Sequence, residues 1–239
     1  MKENSENNWI SFSDVMTGLM IIFLFISISY MLEVQKKQKE RDEIFEEFKA
    51  TKEELYNEIN KEFKADFQKW QVKFDKDLSI KFTNPEVLFK SGATEIRPKF
   101  AKILESFLPR YLDIILQDKF IDKLAEIRIE GHTDMVPAPQ YDNDPYIANM
   151  FLSQARSTQV VKYLRKMKYY NNLPQEKTHL LEFLLTANGL SYGRTVDNTG
   201  ELTIISGKPV DNTKSRRVEF RIITSSEKLV EKVLKEIEN

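Results

Sequence analysis

The longest apolar run of the chain spans residues 9–32, and its one formally charged side chain is Asp14. As a helix this run is about 36 Å long, more than the roughly 30 Å of a bilayer's hydrocarbon core. Trp9 and Tyr30 lie where interfacial aromatic residues are found. A cleaved signal peptide has a basic start and a small-residue cleavage site, whereas here Lys2 alone is basic and the run ends in S-Y-M-L. The pattern therefore predicts an uncleaved transmembrane helix after a short tail, residues 1–8.

The next segment, residues 33–77, is highly charged and has no Gly or Pro. Apolar residues recur mostly at three- or four-residue steps, which predicts one continuous amphipathic helix. They are Ile44, Phe48, Leu55, Ile59, Phe63, Phe67, Trp70, Phe74 and Leu78. Two partners for this stripe stay open, a second copy of the chain or the following domain. A solvated linker helix is the third interpretation, and the aromatic density argues against it.

Residues 78–224 change to short strands that alternate with helices, which predicts a sheet covered by helices. Strands are predicted at 78–82, 125–130 and 217–223, and helices at 98–117, 146–167 and 175–187. A last amphipathic helix is predicted at 226–238, within a C-terminal segment of residues 225–239. The predicted fold class is thus a transmembrane helix and an amphipathic helix, followed by an α/β domain of βαβαβ type.

Composition narrows the function classes. The 239 residues have a formal net charge of -1, so no basic field indicates nucleic acid. The chain has no cysteine, which excludes disulfides and thiolate-bound metals. Its two histidines, His132 and His179, are far apart in sequence, so no histidine-rich metal site is expected. No nucleophile–base pair, phosphate loop or metal cluster is recognisable, so neither an enzyme nor a cofactor is predicted.

Four motifs follow one another in the α/β segment. Residues 87–92 read V-L-F-K-S-G, 127–134 read I-R-I-E-G-H-T-D, 149–156 read N-M-F-L-S-Q-A-R, and 215–219 read S-R-R-V-E. Their order resembles the leading segment, strand-and-turn, N-x-x-L-S-x-x-R helix and N-R-R-V-E strand of OmpA-like peptidoglycan-binding domains. The resemblance implies an OmpA-like fold.

The same resemblance implies a binding site. The family binds the peptide stem of peptidoglycan at diaminopimelate, whose side chain carries an ammonium and a carboxylate on one carbon. Asp134 then takes the ammonium, and Arg156 forms a forked pair with the carboxylate. Asn149 bonds the peptide backbone, and Leu152 packs against the stem from the same helix face.

Each of these residues also has a structural interpretation. Asp134 can close the turn in which it lies, and Arg156 can be a partner in an internal ion pair. His132 is assigned to structure within that turn. Arg216 and Arg217 alternate along the predicted strand, so only one can face the site, and Arg217 is the candidate. A long connection at 135–148 and Ser in place of Asn at 215 depart from the family pattern and bear on ligand preference.

An ionisable side chain in a membrane span is a functional hypothesis by default. Asp14 can alternate between charged and neutral forms, as a proton carrier must. Gly18 and Ile21 share its helix face, and Gly18 allows close approach of another helix. The alternative is a helix cap at Ser13 or Asp14, but the apolar residues 9–12 indicate an earlier helix start.

The span resembles that of MotB-type stator subunits, in which one aspartate conducts protons. The sequence of the span is most similar to that of the ZorB family, the MotB-like subunits of the Zorya anti-phage defence system. The similar stretches are S-D-V-M-T-G-L-M at 13–20 and F-L-F-I-S at 23–27. The resemblance implies a homodimer within a ring of MotA-like (ZorA-type) membrane subunits. It also implies that protons pass through Asp14 while wall-binding domains hold the dimer still. A flagellar-type stator and a passive wall tether are the alternatives.

The resemblance also implies a location, the bacterial inner membrane, with a single pass and the C-terminal domain in the periplasm. The distribution of basic residues favours the opposite orientation. Lys36, Lys37, Lys39 and Arg41 follow the span, and only Lys2 precedes it. By the positive-inside rule alone, the C-terminal side would be cytoplasmic.

Overall fold

The computed structural model describes residues 4–224, with side chains from Phe12 onward. The helix predicted at 226–238 and the side chain of Trp9 lie outside the described residues. Helices are α1 Asn4–Trp70, α2 Pro85–Leu88, α3 Pro98–Ile115, α4 Asp118–Ile121, α5 Pro145–Lys166, α6 Lys168–Asn171, α7 Gln175–Leu184, α8 Thr203–Ser206 and α9 Asn212–Ser215. Strands are β1 Val72–Phe74, β2 Ser79–Phe82, β3 Leu124–Gly131, β4 Leu185–Gly189 and β5 Val218–Thr224.

The chain forms two compact units, one up to Phe48 and one from Lys49 onward. In the first unit, the side chains of residues 12–32 are all exposed. Among the described residues, α1 is the one helix long and apolar enough to cross a membrane, with a mean hydropathy of 2.3 in its apolar part. This part fits the predicted transmembrane anchor in length and composition.

The second unit is built on a five-stranded sheet in the order β1-β2-β5-β3-β4. β3 and β4 are parallel, and the other neighbours are antiparallel. Helices α3, α5 and α7 lie between strands in sequence, so the fold class predicted from the alternation is confirmed. The core includes Phe82, Phe107 and Phe220, whose rings contact one another at centroid distances of 5.1 to 5.6 Å.

The C-terminal part of α1 belongs to this second unit. Leu55, Ile59 and Phe63 have no exposed surface, and the Phe63 ring lies 5.2 Å from that of Phe107. Of the partners left open for the apolar stripe, the following domain is the one observed. The compact unit therefore begins at Lys49, earlier than the predicted start at 78, because this helix supplies part of the core.

Two strands, β1 and β4, lie where the sequence predicts the last residues of helices. α1 ends at Trp70, Gln71 adopts a φ of 57°, and β1 then pairs with β2. Phe74 is in this strand, so the predicted helix through residue 77 is too long. Likewise α7 ends at Leu184 instead of 187, and β4 continues directly as a partner of β3. In both cases sheet hydrogen bonds outweigh local helical spacing.

The ends of β3 and β4 approach α5 closely. A Cβ atom on Gly131 would lie 2.2 Å from the carbonyl oxygen of Ser153, and one on Gly189 would lie 2.4 Å from the backbone nitrogen of Gln154. Only glycine allows this distance at either strand end. The approach sets α5 directly beside the residues that follow β3.

Candidate functional site

A cavity of about 140 Å³ lies where the 85–91 segment, α5 and the residues before β5 meet. Most of its charged lining is basic. The side chains that matter for its chemistry are Arg97, His132, Arg156, Arg216 and Arg217. A cavity with this lining attracts an anionic group.

Asp134 lies just after β3 and is only 4% exposed. Its Oδ2 accepts a hydrogen bond from Nη1 of Arg216 at 2.6 Å, and its Oδ1 accepts one from the backbone N–H of Val136 at 3.2 Å. The residue thus combines the turn role with a charged contact to Arg216. The carboxylate is held in one orientation by these two bonds.

Arg156 projects from α5 and is 7% exposed. Its Nε donates to the carbonyl of Ala93 at 2.9 Å, its Nη2 donates to that of Lys90 at 3.3 Å, and its guanidinium lies 5.2 Å from the Phe89 ring centroid. Burial lowers the pKa of Arg156 to about 10, an effect that Arg216 reinforces and that Asp134 opposes. The group is still a cation at neutral pH.

The start of α5 is fixed by Asp144, whose carboxylate accepts hydrogen bonds from the backbone N–H groups of Tyr146 and Ile147. Asn149 is buried one turn later, and its Nδ2 donates to the carbonyls of Val136 and Pro145, both at 3.0 Å. Both amide hydrogens are therefore used, one within α5 and one to fasten the 135–148 connection to the helix.

Leu152 is buried in a small cluster with Ala138 and Ala148, against which Tyr141 packs. The cluster lies under the 135–148 connection and holds it against α5. Asn149 and Leu152 thus influence the candidate site indirectly, by holding the 135–148 connection in place. Asp134 and Arg156 supply its charged groups.

Arg217 is directed into a buried charge cluster. Its Nε bonds Oε1 of Glu219 at 2.6 Å, and Nε2 of His132 lies 3.5 Å from the same oxygen and 3.4 Å from Oε2 of Glu130. Glu130 and Glu219 are cross-strand partners of β3 and β5. Like charges opposite each other are destabilising, so the surrounding guanidinium groups compensate them. These belong to Arg128, Arg194, Arg217 and Arg221.

Glu130, His132 and Glu219 each offer a ligand atom, and these atoms lie within 4.8 Å of one another. Sequence inspection finds no metal cluster, because Glu219 is distant along the chain and joins the others only through strand pairing. The carboxylate charges are already balanced by arginines, and Arg217 contacts Glu219 directly. A metal cation would meet these positive charges, so the donor set does not fit one.

Arg216 lines the cavity, although the sequence analysis favoured Arg217 over it. The alternation rule applies within a strand, but β5 begins at Val218, and α9 ends at Ser215. Arg216 and Arg217 lie in the connection between them, where both side chains line the cavity. The sequence does not show that the strand begins only at Val218.

In the first unit, Asp14 is an exposed residue of α1, and a Cβ on Gly18 would meet no atom within 4 Å. The Thr17 hydroxyl donates to the carbonyl of Ser13 at 2.8 Å, within the helix. The predicted common face of Asp14 and Gly18 is thus open along its length.

No family model matches the chain. It is 34% identical over 237 residues to the Zorya protein ZorB of Escherichia coli (strain ATCC 8739), covering 98% of this chain and 95% of that protein. Among solved structures, two crystal structures of the periplasmic domain of Helicobacter pylori MotB are similar. One has 19% identity and a TM-score of 0.43, covering 70% of this chain and 99% of that one. The other has 20% identity and a TM-score of 0.42, covering 67% and 86%.

Proposed function

The chain belongs to the family of the Zorya protein ZorB, and we propose that it is a stator-like subunit that anchors a proton-driven motor to peptidoglycan in anti-phage defence. The domain from Lys49 binds the wall, and Asp14 in the membrane helix carries protons. The proposal includes two partners, a second copy of the chain and a ring of MotA-like (ZorA-type) membrane subunits. The membrane is the bacterial inner membrane, with the domain in the periplasm.

The observation that carries wall binding is the charge of Arg156. Among the described residues, no carboxylate lies within 4.0 Å of this buried guanidinium, whose bonds go to the carbonyls of Ala93 and Lys90. A buried charge without a counter-charge is costly, so such a group is expected to receive one from a ligand. The carboxylate of a diaminopimelate stem supplies it, through the forked pairing that guanidinium favours.

Asp134 supplies the opposite charge. In this proposal it pairs with the ammonium that diaminopimelate carries on the same carbon as the carboxylate. The negative charge of Asp134 favours the charged form of Arg156 and acts to raise its pKa, so the two groups interact electrostatically. A cation and an anion presented together suit a zwitterion better than a simple anion.

Proton transfer is supported by the position of Asp14. It is the one formally charged residue of the 9–32 segment, and its side chain is exposed on the apolar helix. A carboxylate in such a span is expected to face partner helices rather than lipid. The open surface at Gly18 gives those helices room to approach.

Co-sedimentation with purified peptidoglycan tests the wall contact. The full chain in detergent is expected to pellet with the wall, and Arg156→Ala is expected to weaken pelleting about tenfold or more, the effect of losing a charge-assisted pair. Arg165→Ala is the matched control, since this exposed arginine of α5 pairs with Glu182 at 2.9 Å. Pelleting of Arg156→Ala at the wild-type level would show that the site is assigned incorrectly.

A further inference from the structure

The guanidinium groups of Arg156 and Arg216 line the same cavity, together with those of Arg97 and Arg217. We propose that Arg216 is a second carboxylate-binding residue, so that the site selects a ligand with two carboxylates for each ammonium. This inference rests on the proposed peptidoglycan binding and names the form of the stem that is bound.

The other charges of the lining have partners or lie in water. Arg217 is neutralised by Glu219 at 2.6 Å. Arg97 lies 3.9 Å from Glu86, and Lys90 is exposed to solvent. Arg156 and Arg216 therefore remain to meet a ligand, together with Asp134, which does not line the cavity itself but bonds Arg216 at 2.6 Å.

The net charge of these three groups is positive by one. A ligand with one ammonium and one carboxylate is neutral and leaves this excess in a partly desolvated cavity, where uncompensated charge is costly. A ligand with one ammonium and two carboxylates cancels it. Charge matching of this kind decides between ligands of similar shape.

Arg216 is also built to change partners. Its Nη1 bonds Asp134 at 2.6 Å, while its side chain remains 35% exposed. A guanidinium has five N–H donors, so others stay available to a ligand. When a ligand ammonium approaches Asp134, it shares that carboxylate, and Arg216 can turn its donors to the second ligand carboxylate.

The backbone on both sides of Arg216 is held by hydrogen bonds. Asp211 caps α9 just before it, accepting a hydrogen bond from the N–H of Lys214 at 3.0 Å. On the other side, the carbonyl of Arg217 accepts from the N–H of His132 at 3.0 Å. The side chain thus starts from a defined position beside the cavity.

Peptide chemistry identifies the ligand class. Diaminopimelate at the free carboxyl end of a stem keeps both of its carboxylates and one ammonium. Amidating that end converts one of these carboxylates into an amide, and adding a further residue does the same while it moves the free carboxylate to the far end of that residue. The expected ligand is therefore a stem that ends in unamidated diaminopimelate.

Calorimetry on the full chain in detergent tests this, with two tripeptide stems that end in diaminopimelate, one with both carboxylates free and one amidated at its terminal carboxyl. The wild type is expected to bind the free form about tenfold more tightly, the effect of one charge-assisted contact. Arg216→Gln is expected to remove this preference without weakening binding of the amide. Arg165→Gln is the control, and it should keep the preference.

Two results would overturn the inference alone. One is a wild type that binds both stems equally, and the other is an Arg216→Gln variant that loses both stems to the same extent. In either case stem binding itself stands. A wild type that binds neither stem would instead refute the proposed peptidoglycan site, and the inference with it.

Discussion

The guanidinium of Arg217 and the carboxylate of Glu219 form a buried ion pair, with Nε and Oε1 2.6 Å apart and both side chains at most 3% exposed. The pair joins the segment before β5 to the strand itself. It lies beside the cavity, which Arg217 lines, so the geometry of the cavity depends on a buried ion pair.

Removing one partner of this pair should be strongly destabilising. Glu219→Gln leaves the Arg217 charge buried without compensation, and we expect a loss of about 3–5 kcal/mol in the free energy of unfolding. Urea denaturation of the full chain in detergent measures it. Glu182→Gln breaks an exposed pair with Arg165 and should cost about 1 kcal/mol or less. Equal effects of the two substitutions would contradict the buried-pair account.

The same charge cluster should lower the free energy of unfolding in acid, because two of its groups become protonated. Burial lowers the pKa of His132 below 6.5. Burial acts against ionisation of Glu219, yet His132, Arg217 and Lys81 together lower its pKa to about 2. Both folded-state values lie below the unfolded ones, so the unfolded chain binds more protons on acidification. The stability from His132 is lost as pH falls below 6.5, and that from Glu219 is lost between about 4.5 and 2.

A variant separates these two contributions. His132→Gln removes the imidazole, so we expect the unfolding free energy to lose its dependence on pH just below 6.5 while the loss below about 4.5 persists. Unfolding curves at a series of pH values measure both ranges. An unchanged slope just below pH 6.5 would show that another group titrates there.

A side chain at position 131, where β3 lies against α5, should destabilise the domain. Gly131→Ala places a Cβ 2.2 Å from the Ser153 carbonyl oxygen, and we expect a loss of about 1–3 kcal/mol and weaker wall binding, because α5 must shift. Gly193→Ala is the control, since its nearest atom, the Tyr146 hydroxyl oxygen, would be 3.4 Å away. Thermal unfolding and co-sedimentation report the two effects. Wild-type stability of Gly131→Ala would contradict the close approach.

The C-terminal part of α1 should be needed for the domain to fold. Phe63 is fully buried, and Arg110 bonds Glu62 and Asp66 at 2.6 and 2.7 Å. A fragment that begins at residue 49 is expected to unfold cooperatively, whereas one that begins at 78 exposes the apolar surface this helix covers. Circular dichroism during heating distinguishes them. A cooperative transition in the shorter fragment would place the domain boundary at 78 after all.

Much of the fold follows from sequence because its elements are long and periodic. The 22-residue helix α5 and the alternating strand β3 were predicted within two residues at each end. The strand β1 has only three residues and continues the aromatic spacing of α1, so nothing local distinguishes it. β4 follows α7 without a Gly or Pro between them, and only its pairing with β3 makes it a strand.

Motifs in the sequence single out two charged residues of the candidate site, Asp134 and Arg156. Contacts between residues distant in sequence could not be predicted in this way. The amide of Asn149 donates to the carbonyl of Val136, a contact set by how the 135–148 connection folds back. Arg216 approaches Asp134 across 82 residues of chain, which no local pattern encodes.

The efficiency of phage plating tests most directly whether this chain is a wall-anchored, proton-carrying stator. Cells that express the complete defence system would carry the wild-type chain, Asp14→Asn, Arg156→Ala or, as a membrane control, Ser27→Asn, with membrane levels matched by immunoblot. The account predicts that Asp14→Asn and Arg156→Ala both lose protection, while Ser27→Asn keeps it. Full protection by Asp14→Asn would contradict proton transfer through this residue, and full protection by Arg156→Ala would contradict anchoring through this site.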